Sequence, residues 1–359
     1  MRFSTPSVRL EGSFFRRKND FLALLCYTVH SKNTVIGIQT SFPSGHAPDN
    51  ALRGRILKGL RPMHEKTTHS GGALFVLLGA VLWGTTGTSQ ALAPVGATSL
   101  EVGALRVAIG GAALLAVALV RRSFSGGGRW PFLPTLIAVL ATAAYQPFFF
   151  TGTAKTGVAV GTLVTLASAP VVSGVVGYFA LGERPRRVWY LSSLLAIAGC
   201  SLLTLSGDAE SVVHPVGVLF SLGAGVSYAI FVLGSKYLLK EHTPDAVNGV
   251  VFSGAGLVLF PVLLMNPPMW LAEPRGLFVT LHLGLIATGL AYFLFLKGLS
   301  SVPASTSVTL SMAEPLTASL LGVFLLGERM NFLGGIGVFL TFAGVALLAL
   351  GGSRGAEDS

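Results

Sequence analysis

From Gly71 onward the sequence is a succession of apolar runs, each of a length that crosses a bilayer. Spanning takes about 20 apolar residues at the helical rise. Ten such runs follow one another, over 72–93, 98–120, 132–153, 157–180, 187–206, 215–238, 246–266, 275–297, 303–325 and 332–351. A soluble helix keeps a polar face, and ten in series that lack one leave no surface for water. The composition agrees. Charged residues make up 11% of the 359 and hydrophobic residues 52%, where ordinary globular domains carry about 25% charge. The fold class that follows is an all-α integral membrane protein with ten transmembrane helices.

Residues 1–70 read differently, with eleven Lys/Arg against four Asp/Glu. Their one apolar run, FLALLCYTV at 21–29, is too short to span, and no small-residue cleavage site follows it closely, as a secretory leader requires. A basic, disordered tail is expected, with 1–62 dispensable for insertion because Met63 stands just before the first run. Nucleic acid is not an expected partner, since the basic residues are not interleaved with aromatics. Between the runs, ten Lys/Arg fall on the tail's side of the membrane, in 121–129, 183–187 and 236–241 and at Lys297 and Arg354. Three, Lys155, Arg275 and Arg329, fall on the other. The positive-inside rule then places both termini in the cytoplasm of a cell whose inner membrane holds the chain. Cys26 and Cys200 supply neither a disulfide framework nor a thiolate metal site, and no metal or other cofactor is implied.

The chain also writes itself twice. LGERPRRVWYLSSLLAIAGCSLLTL from Leu181 and LGERMNFLGGIGVFLTFAGVALLAL from Leu326 share ten of 25 residues at an offset of 145. The offset persists upstream, pairing Gly72 with Gly217, Phe75 with Phe220, Pro170 with Pro315 and Gly177 with Gly322. The domains are therefore a tail (1–70), a first repeat (71–207), a second repeat (213–352) and a short cytoplasmic end (353–359). Each repeat has five helices, and five is odd, so the second enters the membrane from the opposite side. Two inverted five-helix repeats are the architecture of alternating access, with a site at the midplane between the halves.

These residues resemble the EamA domains of the drug/metabolite transporter superfamily. APVVSGVVGYFALGERP (169–185) and EPLTASLLGVFLLGERM (314–330) carry the likeness most clearly, with VLWGTTG (81–87) and LEVGALRVAIGG (100–111) in support. The resemblance covers about 70–352, and the long tail departs from it. It implies a carrier that exports amino acids, other metabolites or drugs, some members importing instead.

Candidate site residues come from what is unusual at depth. Trp83 and Tyr228 occupy equivalent repeat positions, and Tyr145 with Gln146 lies at a depth like that of Tyr292; these read as cavity lining as readily as core packing. Arg106 lies inside the second run, where a charge is expensive unless paired or wetted; it is a candidate for a substrate carboxylate and, equally, for snorkelling from about a third of the way in. Glu314, halfway along the ninth run, has Ala169 as its repeat partner, so nothing in the repeat itself requires a carboxylate. Such a group costs about 2.5–3.5 kcal/mol on insertion scales, and burial disfavours its charged form. Glu314 is the candidate for proton coupling, and Ser311 joins it as a candidate substrate contact. Pro170 and Pro315 each remove a helix hydrogen bond, which suits a face turned to protein or a cavity. Glu183, Arg184, Glu328 and Arg329, at helix ends, are expected in structural or gating roles. His282, alone in its run, reads as a satisfied packing residue.

The expected function is secondary active export of a small metabolite with proton coupling. No Gly-x-x-x-x-Gly-Lys-Ser/Thr pattern for nucleotide binding occurs. Expected partners are the small-molecule substrate, the lipid bilayer and a proton; a homodimer is left open. An importer or facilitator of the same fold is the nearest alternative. A membrane-embedded enzyme would need a His, Asp or Glu cluster at the membrane face, which the sequence does not offer, and a regulatory membrane protein would not need a charge inside a span.

Overall fold

The computed structural model describes residues 69–125, 128–206, 214–326 and 331–351. The tail, the 353–359 end and the Gly-Glu-Arg copy with Glu328 and Arg329 lie outside the described residues.

Among the described residues, ten helices are long and apolar enough to cross a membrane. In chain order they are α1 His69–Ala91, α2 Ser99–Val120, α3 Phe132–Thr156, α4 Val158–Leu181, α5 Arg187–Leu205, α6 Pro215–Leu238, α7 Pro244–Met265, α8 Pro274–Leu299, α9 Ala304–Leu325 and α10 Phe332–Gly351. Only helices satisfy every backbone group of a single segment within a bilayer. Leu119, Phe179, Leu194, Leu257, Phe324 and Phe339 point outward, each more than half exposed, as lipid-facing side chains do.

The packing displays the repeat. Helix α2 lies along α7, and α5 along α10; α3 packs on α6 as α8 packs on α1, and α4 on α6 as α9 on α1. Each of these contacts maps onto itself or another when the two halves are exchanged, so the repeats interleave around a pseudo-twofold axis. Close approach in lipid depends on small residues. Between α5 and α10, a Cβ on Gly199 would overlap Thr341, and one on Gly337 would stand 2.7 Å from the Leu203 amide.

Helix ends follow local chemistry. Thr98 and Glu101 form a capping box at the start of α2, and Glu101 also accepts from the Trp270 indole at 3.0 Å. Gly182 ends α4 in the left-handed region, at φ 69°, a conformation that glycine reaches without a Cβ penalty.

Two spans of the second repeat depart from regular α geometry. His282–Leu290 within α8 is π-helical, and α9 is interrupted at Ser311–Met312 between Ala304–Leu310 and Ala313–Leu326. Helix α4 runs unbroken through Pro170. The equivalent prolines therefore stand in different backbones, and the break in α9 falls at Ser311. Ser311 Oγ bonds back to the Val308 carbonyl at 2.7 Å, competing with the helix ladder. Its counterpart Leu166 has no such group. The Glu314 amide turns to the Ser311 carbonyl at 2.9 Å, which the missing N–H of Pro315 had left free.

Candidate functional site

A cavity of about 60 Å³ lies between the repeats near the middle of the helices. From α1 and α2 it takes Trp83 and Arg106, and from α3 Tyr145 and Gln146. From α6 and α8 come Tyr228 and Tyr292, and from α9 Ser311 and Glu314. All eight candidate substrate contacts thus meet at one place. Thr165, Leu166 and Ala169 of α4 complete the wall.

The aromatics form both the lining and the core. Trp83 packs on Tyr292 with ring centroids 4.7 Å apart and edge-on to Tyr228 at 6.3 Å; Tyr145 tilts against Tyr228, also at 6.3 Å. Trp83 is 4% exposed, and its indole N–H has no hydrogen-bond partner among the described residues. A buried donor left unmade is costly, so this one is available to an acceptor in the cavity. The Tyr228 hydroxyl donates to Ser311 Oγ at 3.1 Å, which fixes that ring against the break in α9.

Arg106 is held from one side only. Its Nε donates to Thr288 Oγ1 at 3.1 Å, and its Nη2 reaches the Ala287 carbonyl at 3.5 Å. Thr288 in turn donates to the Leu283 carbonyl, five residues back, at 2.8 Å. The π-helical stretch therefore positions the guanidinium, and its remaining N–H groups stay available. Glu314 faces the same cavity, and no ion pair within 4.0 Å joins it to Arg106 among the described residues. An arginine and a carboxyl group thus share one cavity without contact.

A second polar cluster closes the end of the bundle from which α1 starts. Glu183 Oε1 accepts from the Ala304 amide at 2.7 Å. Its Oε2 accepts from the Ser305 amide at 3.2 Å and the Ser305 hydroxyl at 3.0 Å. A carboxylate of the first repeat thus caps a helix of the second, where it offsets exposed amides and the positive helix end. The same half-helix is tied to α5 by Trp189 Nε1 to the Ser305 carbonyl at 3.1 Å and by Ser193 with Thr309 at 2.9 Å. Lys236 of α6 holds the preceding turn, donating to the carbonyls of Leu299 at 2.6 Å and Val302 at 2.8 Å. Arg184 is exposed and takes no part. The sequence offered little warning of Thr288, Trp189, Ser193 or Lys236; the one signal was that Trp189 has glycine, Gly334, at its repeat position. His282 differs from its expected satisfied state, because its buried Nδ1 has no partner among the described residues.

Ten spans and two interleaved repeats with a polar cavity between them are an architecture shared with inverted-repeat membrane transporters. The comparisons give the family. Residues 70–205 and 215–350 each match the EamA-like transporter family, and the chain belongs to it. An uncharacterized transporter of Bacillus subtilis (strain 168), YwfM, is 46% identical over 278 residues, which cover 77% of this chain and 93% of that protein. The threonine/homoserine exporter RhtA of Escherichia coli (strain K12) is 30% identical over 158 residues, covering 42% of this chain and 51% of RhtA. One crystal structure shares the fold at a TM-score of 0.69 and 20% identity, covering 79% of this chain and 98% of its own.

Proposed function

We propose that this protein exports a small zwitterionic metabolite, an amino acid or a close chemical relative, by alternating access with a proton as coupling ion. The observation that carries the reading is Arg106 and Glu314 facing one cavity without pairing. A substrate carboxylate at the free edge of Arg106 and an ammonium group at Glu314 would satisfy both charges at once. Trp83 N–H, Tyr145, Gln146, Tyr292 and Ser311 supply the remaining polar contacts. The printed name of RhtA supports export and an amino-acid cargo, over the half of that protein which aligns.

At about 60 Å³ the cavity has room for a few water molecules, whereas sites for drug-sized ligands run to about 300–1,000 Å³. Its walls must part to admit cargo. Profiling of the medium with and without overexpression tests the function: selected amino acids should accumulate outside. An unchanged exometabolome and an unchanged drug-resistance profile would remove the export reading.

Both termini lie in the cytoplasm of the inner-membrane protein under this proposal, which puts Glu183 inside and Glu328 outside. Cysteines placed at Pro185 and Asn331 should label with an impermeant reagent from opposite faces, and labelling from the same face would defeat the assignment. Glu183 and Lys236 then form the inner gate. Glu183→Ala leaves the Ala304 and Ser305 amides without their acceptor, and a helix cap contributes about 1 kcal/mol. Labelling of a cysteine at Thr306 from inside should rise about fivefold, that energy read as a population. Unchanged labelling would reduce Glu183 to a structural cap.

A further inference from the structure

The densest positive charge outside the cavity and the gate lies where α4 turns into α5. Arg184, Arg186 and Arg187 are exposed there, and no acidic side chain among the described residues pairs with any of them. Glu183, their neighbour, has both oxygens engaged by α9. Arg186 and Arg187 also stand at the N-terminus of α5, the end of a helix where cations are disfavoured. The local field is positive from side chains and helix alike, and the carboxylate of Glu183, which lines one cavity with Arg184 and Arg186, is turned to α9.

Arg184 and Arg186 line a cavity of about 370 Å³ whose apolar wall includes Val302, Leu348 and Ala349. Pro185 and Trp189 border both this cavity and a second, of about 540 Å³, between α4 and α5. That groove is apolar, and Val171, Val175 and Leu194 in it are 55%, 54% and 65% exposed on the outer surface of the bundle. It exists because Gly174 faces the Trp189 ring, where a Cβ would meet the ring carbons. The second repeat has Ser319 and Gly334 at these positions, so the glycine–tryptophan pair is not repeated there.

We propose that this face binds an anionic phospholipid of the adjoining leaflet, its phosphate on Arg184 and Arg186 and one acyl chain along the α4–α5 groove. Charge complementarity selects the headgroup, and an apolar groove that opens to the bilayer directly beneath it selects a lipid over a soluble anion. Because Arg184 follows Glu183 in the chain, bound lipid holds the loop that carries the cap on α9. The proposal depends on neither the cargo nor the direction of transport.

The test uses the purified full chain in detergent micelles, titrated with dioleoylphosphatidylglycerol or dioleoylphosphatidylcholine and read by native mass spectrometry. The glycerol lipid should bind on the order of tenfold more tightly, as expected for two arginines beside an anionic group. Arg184→Gln with Arg186→Gln should erase that preference. Leu194→Trp, which fills the groove from its lipid-facing side, should weaken both lipids and keep the preference. Equal binding of the two lipids by the unaltered protein would overturn the proposal. So would a preference that survives in the double variant, unchanged affinity in Leu194→Trp, or displacement by inorganic phosphate at concentrations matching the lipid.

Discussion

Glu314→Gln is expected to insert and fold normally yet lose gradient-driven transport, by on the order of a hundredfold or more, the lower range for loss of a proton-transferring group. The substitution keeps the shape and the place in the wall that Glu314 shares with Ser311 and Tyr228. It removes the one carboxylate that lines this cavity among the described residues. In proteoliposomes, the unaltered protein should move cargo outward faster when protons are supplied from the opposite side, and the Gln variant should be indifferent to pH. Exchange of cargo for cargo, which needs no proton, should survive in part. Ala169→Gly is the matched control, since Ala169 is 2% exposed and lines the same cavity from the equivalent repeat position. It should change the rate little. Unaltered rates and an unaltered pH profile in Glu314→Gln would remove the carboxylate from the coupling mechanism.

Arg106→Gln should act on binding. An Arg–carboxylate contact in a dry site is worth about 2 kcal/mol or more when truncated, so KM for an amino acid should rise about thirtyfold. A decarboxylated amine of the same side chain should discriminate poorly between the variant and the unaltered protein, because it has no carboxylate to lose. Thr288→Val supplies the graded case. It leaves the guanidinium but removes the hydroxyl that accepts from Nε at 3.1 Å, and a smaller rise is expected. Equal loss for the acid and the amine in Arg106→Gln would mean that the residue holds the helices together and does not read the substrate.

The readability of this molecule follows from the solvent it sits in. Lipid makes polar residues at depth expensive, so Arg106, Glu314 and the deep aromatics stood out in the sequence, and the structure gathers them into one cavity. The same pressure wrote ten continuous apolar runs, and the 145-residue offset exposed the repeat. Contacts that depend on pairing distant segments were not legible. Glu183 was visible as a helix-end acid, but its partners Ala304 and Ser305 lie more than a hundred residues away. Thr288 looks like any small packing residue until the π-helical turn brings it to Arg106. Nor did matched prolines reveal that one helix breaks and the other does not; the break falls at Ser311, where the first copy has Leu166.

Under the proposed alternating access, the interruption in α9 redraws the border between the parts that would slide. By sequence, Ala304–Leu310 belongs to the second repeat; by its bonds to Glu183, Trp189 and Ser193, it is fastened to the first. A rocking motion must either tear those bonds or leave this seven-residue piece behind as cargo of the other half. In the latter case the shear surface crosses α9 at Ser311–Met312, two residues ahead of Glu314. If a proton or an ammonium group binds that carboxylate as proposed, it sits on the joint itself, and no relay is needed between the event that is sensed and the part that bends.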